Sequence, residues 1–346
     1  MIKVLANKII MAPTSDLNQS DPAYNLARDS IPNLDIAPLF TGDQSARNTL
    51  IEEIRAACLN TGFFYVYNSC VSDKLIQRAL SSMAEFFNFE DHHPTKQKVH
   101  NRNFGGMKGW GPIFGEPAYQ KDTIAHLESF DIGQQLQESQ YRLLGITPNC
   151  WPELSGFQTA ILEYYDATTL LGRALAGVFS ELLGEDRDFI NKHSGENAPR
   201  TLRLLHYPEN DVPADRRNVG ISAHSDFECF TIMNQTAEGL ELTNVDGKWF
   251  KAPSDLGSFT IIMGDMMERF SNGHFKATGH RVVNTPWTRY SMVLFFAIDG
   301  DFSVAPLPRF VSSKKPDRYG AITQDQHIEQ EIKRATENHS TTIDST

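Results

Sequence analysis

From Leu202 onward the chain consists of short apolar runs broken by turn residues, and this texture restricts it to folds made of many short strands. The runs are Leu202–Tyr207, Phe230–Asn234, Leu240–Thr243, Phe259–Met263, Arg281–Asn284 and Ser291–Ile298, with turn signals such as Asp246-Gly247 and Asn272-Gly273 between them. Short strands at regular spacing predict a sandwich or jelly roll.

The first half has a different period. Leu50, Ile54 and Cys58 share one helical stripe, which Thr61-Gly62 ends because glycine takes the left-handed cap at least cost. Phe63-Phe64-Tyr65-Val66-Tyr67 predicts a buried strand. A second helix follows Ser72-Asp73, with Ile76, Leu80, Met83 and Phe87 on its stripe. The longest helical pattern, Phe157 to Leu183, is a core face and carries no chemistry. Ile31–Phe40 has extended character, residues 12–30 are polar, and a last helix is expected over His327–Thr336. The fold class is therefore mainly β with flanking helices: a jelly roll backed by a long helix.

Composition narrows the function classes. A formal net charge of -11 over 346 residues argues against a nucleic-acid partner, since phosphate binding needs clustered Lys and Arg. Cys58, Cys70, Cys150 and Cys229 are scattered without a C-x-x-C pair, which fits a reduced, cytoplasmic protein. No signal peptide is read at the start, and no stretch is long enough to span a bilayer, so no membrane partner is expected.

Residues 101–117 hold Gly105, Gly106, Gly109, Gly111 and Gly115, with Phe104, Trp110 and Phe114 between them. They form either an ordinary surface connection or a substrate-facing loop. Phe104, Trp110, Phe114, Phe227 and Phe230 are candidates for an apolar pocket, although aromatic residues are more often core.

The candidate chemistry lies at His224-Ser225-Asp226 and His280. Residues i and i+2 of a strand share a face, so His224 and Asp226 can point into one cavity, and a distant histidine can complete a facial triangle. Two imidazoles and one carboxylate leave three positions open on an octahedral iron. A lone H-x-D is weak, and His126-Leu127-Glu128 imitates it; structural roles are the default for the other histidines, including His92, His93 and His206. Arg289 and Ser291 also share a strand face, where a guanidinium fork beside a hydroxyl suits a carboxylate.

Several motifs in order resemble the isopenicillin N synthase-like group of 2-oxoglutarate/Fe(II) oxygenases, from about residue 31 to near residue 330. Ile31-Pro32-Asn33-Leu34-Asp35 and Gly62–Val66 resemble the opening of that family, and Arg203–Pro208 its strand before the first ligands. Ala223-His224-Ser225-Asp226 is similar to its A-H-[ST]-D. Gly239–Leu242, Gly247-Lys248-Trp249, Gly264-Asp265-Met266, Ser271-Asn272-Gly273 and Lys276–Val282 follow in family order. Arg289-Tyr290-Ser291 is similar to the R-x-S of the family, whereas 101–120 matches only loosely.

The resemblance implies a distorted double-stranded β-helix. It implies iron on His224, Asp226 and His280, with 2-oxoglutarate held by Arg289, Ser291 and Tyr207. The expected reaction is hydroxylation, desaturation or ring closure of a small molecule with O2, releasing succinate and CO2. The expected layout is one structural domain: a flexible leader (1–30), an N-terminal α/β portion (31–150), the long helix with the jelly-roll core and iron site (151–310), and a C-terminal helix and tail (311–346). Two alternatives stand beside this reading. One is a 2-oxoglutarate-independent Fe(II) oxidase of the same family, whose Arg and Ser would hold the substrate carboxylate. The other is a cupin-like metal-binding protein, either non-catalytic or an isomerase.

Overall fold

A computed structural model describes residues 17, 21–25, 31–106, 108–210, 218–254 and 257–343. Two sheets face each other, as the strand pattern predicts. The larger has eight strands in the order Asn33–Asp35, Phe63–Tyr67, Phe259–Met263, Phe230–Gln235, Arg289–Phe296, Thr201–Tyr207, Glu128–Gly133 and Gly109–Gly111. The smaller has five: Tyr24–Asn25, Trp249–Lys251, Leu240–Thr243, His280–Val282 and Ile221–His224. Sequence neighbours are often separated in these orders, so the strands cross between sheets as in a jelly roll.

Alternation along the strands of the large sheet sorts its residues onto two faces. Leu202, Leu204, Ile232, Leu294 and Phe296 pack with the helices in one apolar cluster. Leu205, Tyr207, Met233, Ile262 and Val293 pack with Ile221, Leu240 and Val282 of the small sheet in a second cluster. The first cluster is a dry core. The second lines a cavity between the sheets.

The helices back the outer face. Phe157–Leu183 is a single 27-residue helix, with Phe157, Ile161, Tyr164, Leu171 and Leu175 buried. At Gly172 this helix comes close to the sheet: a Cβ there would lie 2.3 Å from Phe296 Cδ2. Gln44–Asn60 and Asp73–Phe87 carry the expected stripes, and the latter is capped by the Ser72 hydroxyl, which accepts from Leu75 N–H.

Three boundaries differ from expectation. Most of the 1–30 leader lies outside the described residues, but Tyr24–Asn25 pairs in parallel with Phe250–Lys251, and the Asp21 carbonyl accepts from Arg281 Nη2 at 2.6 Å. These residues are therefore edge structure and not loose chain. The extended segment 31–40 turns helical at Pro38–Thr41, where proline suits the first turn. The last helix runs Gln324–Ile343, well beyond His327–Thr336, because its inner face docks on the jelly roll. No described helix is long and apolar enough to cross a membrane. The four cysteines are free.

Candidate metal centre and anion clamp

Two neighbouring strands of the small sheet bring the histidines together. His224 ends Ile221–His224, His280 begins His280–Val282, and the two residues are direct antiparallel partners. Their rings lie 4.2 Å apart, centroid to centroid. Asp226 sits two residues beyond the strand end and so is not part of the strand, yet it still turns the same way. Its Oδ1 is 3.9 Å from His224 Nε2 and 3.5 Å from His280 Nε2. One ligand atom from each residue fits within a 4.8 Å cluster, and all three residues are buried.

The backbone fixes the ring orientations. His224 Nδ1 lies 2.8 Å from the Ser222 carbonyl, and His280 Nδ1 lies 3.2 Å from the Thr278 carbonyl. Both Nδ1 atoms donate there, which leaves each Nε2 lone pair facing inward. Burial and the adjacent His280 hold the His224 imidazole well below its usual range, in the neutral form that binds metals. Tyr119 lies flat on His224, with centroids 4.4 Å and planes 13° apart.

The imitation motif stays away from this centre. His126 Nδ1 meets Asn210 Nδ2 at 3.0 Å. Glu128 accepts from Lys96 Nζ at 2.8 Å and Trp110 Nε1 at 2.7 Å, and it pairs with His206 Nδ1 at 2.7 Å. Glu128 and His206 thus tie strands together. His93 caps a short helix by accepting from Thr95 N–H.

At the other end of the inner face, strand register places Arg289 opposite Tyr207, and Ser291 between Leu205 and Gln235. Arg289 is 1% exposed and has no acidic partner among the described residues. Its Nη2 donates to Gln235 Oε1 at 2.6 Å and its Nε to the Ala237 carbonyl at 3.2 Å, while the cation sits 4.7 Å over the Tyr207 ring. Arg289 Nη1, Ser291 Oγ and Gln235 Nε2 are buried without a hydrogen-bond partner. A buried cation left with spare donors is costly unless an anion joins it. Tyr207 contributes its ring face beneath the guanidinium. Gln235 was missed in the sequence, because only the pairing of Phe230–Gln235 with Arg289–Phe296 places it beside Ser291.

A cavity of about 370 Å³ connects the two ends, from His224, Asp226 and His280 to Tyr207 and Leu240. The 101–117 segment does face it, through Asn101, Gly106, Gly111, Pro112 and Glu116. The aromatic candidates divide differently than expected. Phe227 lines the cavity, and so does Phe295, which the sequence reading did not single out. Phe230 points to the opposite face and packs against Phe179 and Phe296 at 4.7 and 4.8 Å. Trp110 is committed to Glu128, Phe114 is 51% exposed, and Phe104 packs on the helical core.

Three further features shape the cavity. Arg203 is held bidentately by Asp131, through Nε and Nη2 at 2.9 Å each, and its Nη1 donates to Glu116 at 2.8 Å. Burial, with Asp226 and Asp265 nearby, pushes the Glu228 carboxyl up to about 8. The last helix supplies Ile328 and Ile332 to the wall. It is pinned by His327 Nε2 on Asp265 Oδ2 at 2.8 Å and by Gln324 Nε2 donating to the Phe227 carbonyl at 2.9 Å.

Comparison with known proteins agrees with this arrangement. Residues 31–154 match the family described as non-haem dioxygenase in morphine synthesis N-terminal, and residues 198–298 match the 2OG-Fe(II) oxygenase superfamily. A 2-oxoglutarate-dependent dioxygenase, citB of Monascus ruber, is 31% identical over 314 residues, covering 86% of this chain and 93% of its own. Among solved structures, a 2OG-Fe(II) oxygenase family protein from Caulobacter crescentus superposes with a TM-score of 0.75 at 28% identity, over 88% of this chain and 98% of that one. JOX2, solved with 2OG, Fe and JA, superposes with a TM-score of 0.72 at 25% identity, over 92% and 90%.

Proposed function

Because this chain belongs to the 2-oxoglutarate/Fe(II)-dependent oxygenases, oxidoreductases that use Fe(II) and 2-oxoglutarate, we propose that His224, Asp226 and His280 are its iron ligands and that Arg289, Ser291, Tyr207 and Gln235 hold the far carboxylate of 2-oxoglutarate. The observation that carries this assignment is that three ligand atoms converge in a cavity that also reaches Tyr207, whose ring lies under a buried guanidinium with an unbonded nitrogen.

The donor set fits the groups. Two neutral imidazoles and one carboxylate suit iron and leave coordination positions open for a chelating co-substrate and O2. Bound there, Fe(II) and 2-oxoglutarate supply the oxidising chemistry: O2 and 2-oxoglutarate become succinate, CO2 and one oxygen atom delivered to a C–H bond of the second substrate.

The residues of the chain position and protect that chemistry. The Ser222 and Thr278 carbonyls orient the imidazoles, and the Thr231 hydroxyl holds one Asp226 oxygen so that the other faces both rings. Arg289 offers Nη1, and Ser291 and Gln235 add hydroxyl and amide donors, so a carboxylate entering there gains charge-assisted hydrogen bonds. Leu205, Leu240, Val282 and Val293 keep the space between the two ends apolar, which excludes water. We further propose that the second substrate is a small molecule, in keeping with the cavity volume.

The test is an anaerobic titration of the metal-free protein with Fe(II) and then 2-oxoglutarate, observing the visible charge-transfer band of the chelate. The band is expected in the wild type and is expected to weaken strongly in Arg289→Ala. Tight iron binding with no band would overturn the clamp, and no iron binding would overturn the metal site.

A further inference from the structure

A row of residues crosses the inner face of the large sheet in register. Gly111 lies opposite Ser129, Ser129 opposite Leu205, Leu205 opposite Ser291, and Ser291 opposite Gln235. Neighbouring strands are about 4.8 Å apart, so Gly111 and Ser291 stand about 14 Å from each other along this row. Ser291 and Gln235 belong to the anion clamp described above. Gly111 and Ser129 line the cavity farther along the row, beyond Leu205.

That far end is polar where the middle is hydrocarbon. A Cβ on Gly111 would lie 3.0 Å from Ser129 Oγ and 3.1 Å from Asn101 Nδ2, so the missing side chain leaves a notch between a hydroxyl and an amide. Gly111 has no left-handed backbone that would call for glycine, so what the residue supplies is space. Ser129 is 5% exposed, and neither its hydroxyl nor Asn101 Nδ2 has a hydrogen-bond partner among the described residues. Asn101 Oδ1 lies 3.0 Å from His100 Nδ1, which leaves the amide nitrogen to the notch. On the same wall, Arg203 gives one hydrogen of Nη1 to Glu116 and one of Nη2 to Asp131, and the second hydrogen of each has no acceptor among the described residues. A buried hydroxyl without a partner is costly, and the group that answers a hydroxyl, an amide N–H and guanidinium N–H groups together is an oxygen acceptor with two lone pairs.

We propose that the second substrate presents a carbonyl oxygen, of a neutral group or of a carboxylate, to Ser129 and Asn101 at the Gly111 notch, with its apolar body along Leu205, Val293 and Phe295. A cationic nitrogen, which Glu116 and Asp131 would attract, is the contrary case. This inference rests on the iron and 2-oxoglutarate reading above, and its test keeps the two apart.

The protein is loaded anaerobically with Fe(II) and 2-oxoglutarate, and binding of three probes with the same pentyl tail is measured by calorimetry: 2-heptanone, hexanoate and hexylammonium. The tighter of the first two is expected to bind about tenfold more tightly than hexylammonium, and which of them it is tells a neutral carbonyl from a carboxylate. In Ser129→Ala the affinity for that probe should fall about fivefold, and in Gly111→Ala, which fills the notch, about tenfold, while hexylammonium binding and the chelate band stay as in the wild type. Hexylammonium binding as tightly as the other two, or a preference unchanged in both variants, would overturn the proposal with the iron reading intact. A missing chelate band in the wild type would overturn both. If Gly111→Ala does not fold, Ser129→Ala decides.

Discussion

Thr231 Oγ1 donates to Asp226 Oδ2, which leaves Asp226 Oδ1 as the oxygen facing both imidazoles. A single hydroxyl thus selects which lone pairs are presented. Removing an outer partner of a metal ligand typically costs 10–100-fold in affinity. Thr231→Val is expected to weaken Fe(II) binding by roughly that factor with the fold intact, as read by metal titration and circular dichroism. Asp226→Ala should abolish turnover outright. Wild-type iron affinity in Thr231→Val would show that the carboxylate needs no such support.

Arg289 acts through fork geometry as much as through charge. Arg289→Lys keeps the cation but loses the contacts to Gln235 and Ala237. A rise of about tenfold or more in the KM for 2-oxoglutarate is expected, and Ser291→Ala should cost less, near the ~1 kcal/mol of an ordinary hydrogen bond. A lysine variant with unchanged KM would mean that a point charge suffices.

Much of this arrangement is legible in the sequence, and the exceptions share one cause. The strands and the long helix follow from local period, while His224, Asp226 and His280 stand out through the order of motifs that resembles the oxygenase family. Gln235 and Tyr119 become site residues only through register between strands distant in sequence or through a loop folded over the cavity, while Thr231 joins the site through the turn that follows Asp226. Phe230 shows the same limit: alternation says that two faces exist, but it does not say which one meets the helices. The Tyr24–Asn25 pairing depends on an edge that exists only after the small sheet has formed.

The Glu128 network gives the fold a definite acid response. Burial alone would raise the Glu128 pKa, but hydrogen bonds from His206, Lys96 and Trp110 outweigh it and hold the carboxyl below its ordinary value. A depressed carboxylate stabilises the folded state fully above its unfolded pKa, near 4.5, and that contribution is lost as pH falls through the lower folded value. Glu128→Gln should therefore lower stability most at neutral pH, by about 3 kcal/mol for a broken buried network, and by much less below pH ~4. Urea titrations at both pH values measure the difference, and a gap that does not change with pH would refute this account.

Gly172 marks a close approach of the long helix to the large sheet. Alanine would raise helix propensity by about 1 kcal/mol, but its Cβ would meet the fully buried Phe296 ring. Overpacking typically costs 1–3 kcal/mol, so a net loss of about 1 kcal/mol is expected in Gly172→Ala, and Gly172→Leu should not fold. Thermal melting distinguishes these outcomes, and a stabilised alanine variant would show that the Phe296 ring can move aside.

The last helix contributes Ile328 and Ile332 to the cavity, yet it lies past residue 298, where the match to the oxygenase superfamily stops. The proposed iron centre and one wall of the cavity thus lie on separate stretches of chain. Descendants of such a protein can explore new substrates by drift in that helix while the iron centre stays under constraint, and chimaeras exchanging the helix between relatives should transfer substrate preference without rebuilding the catalyst.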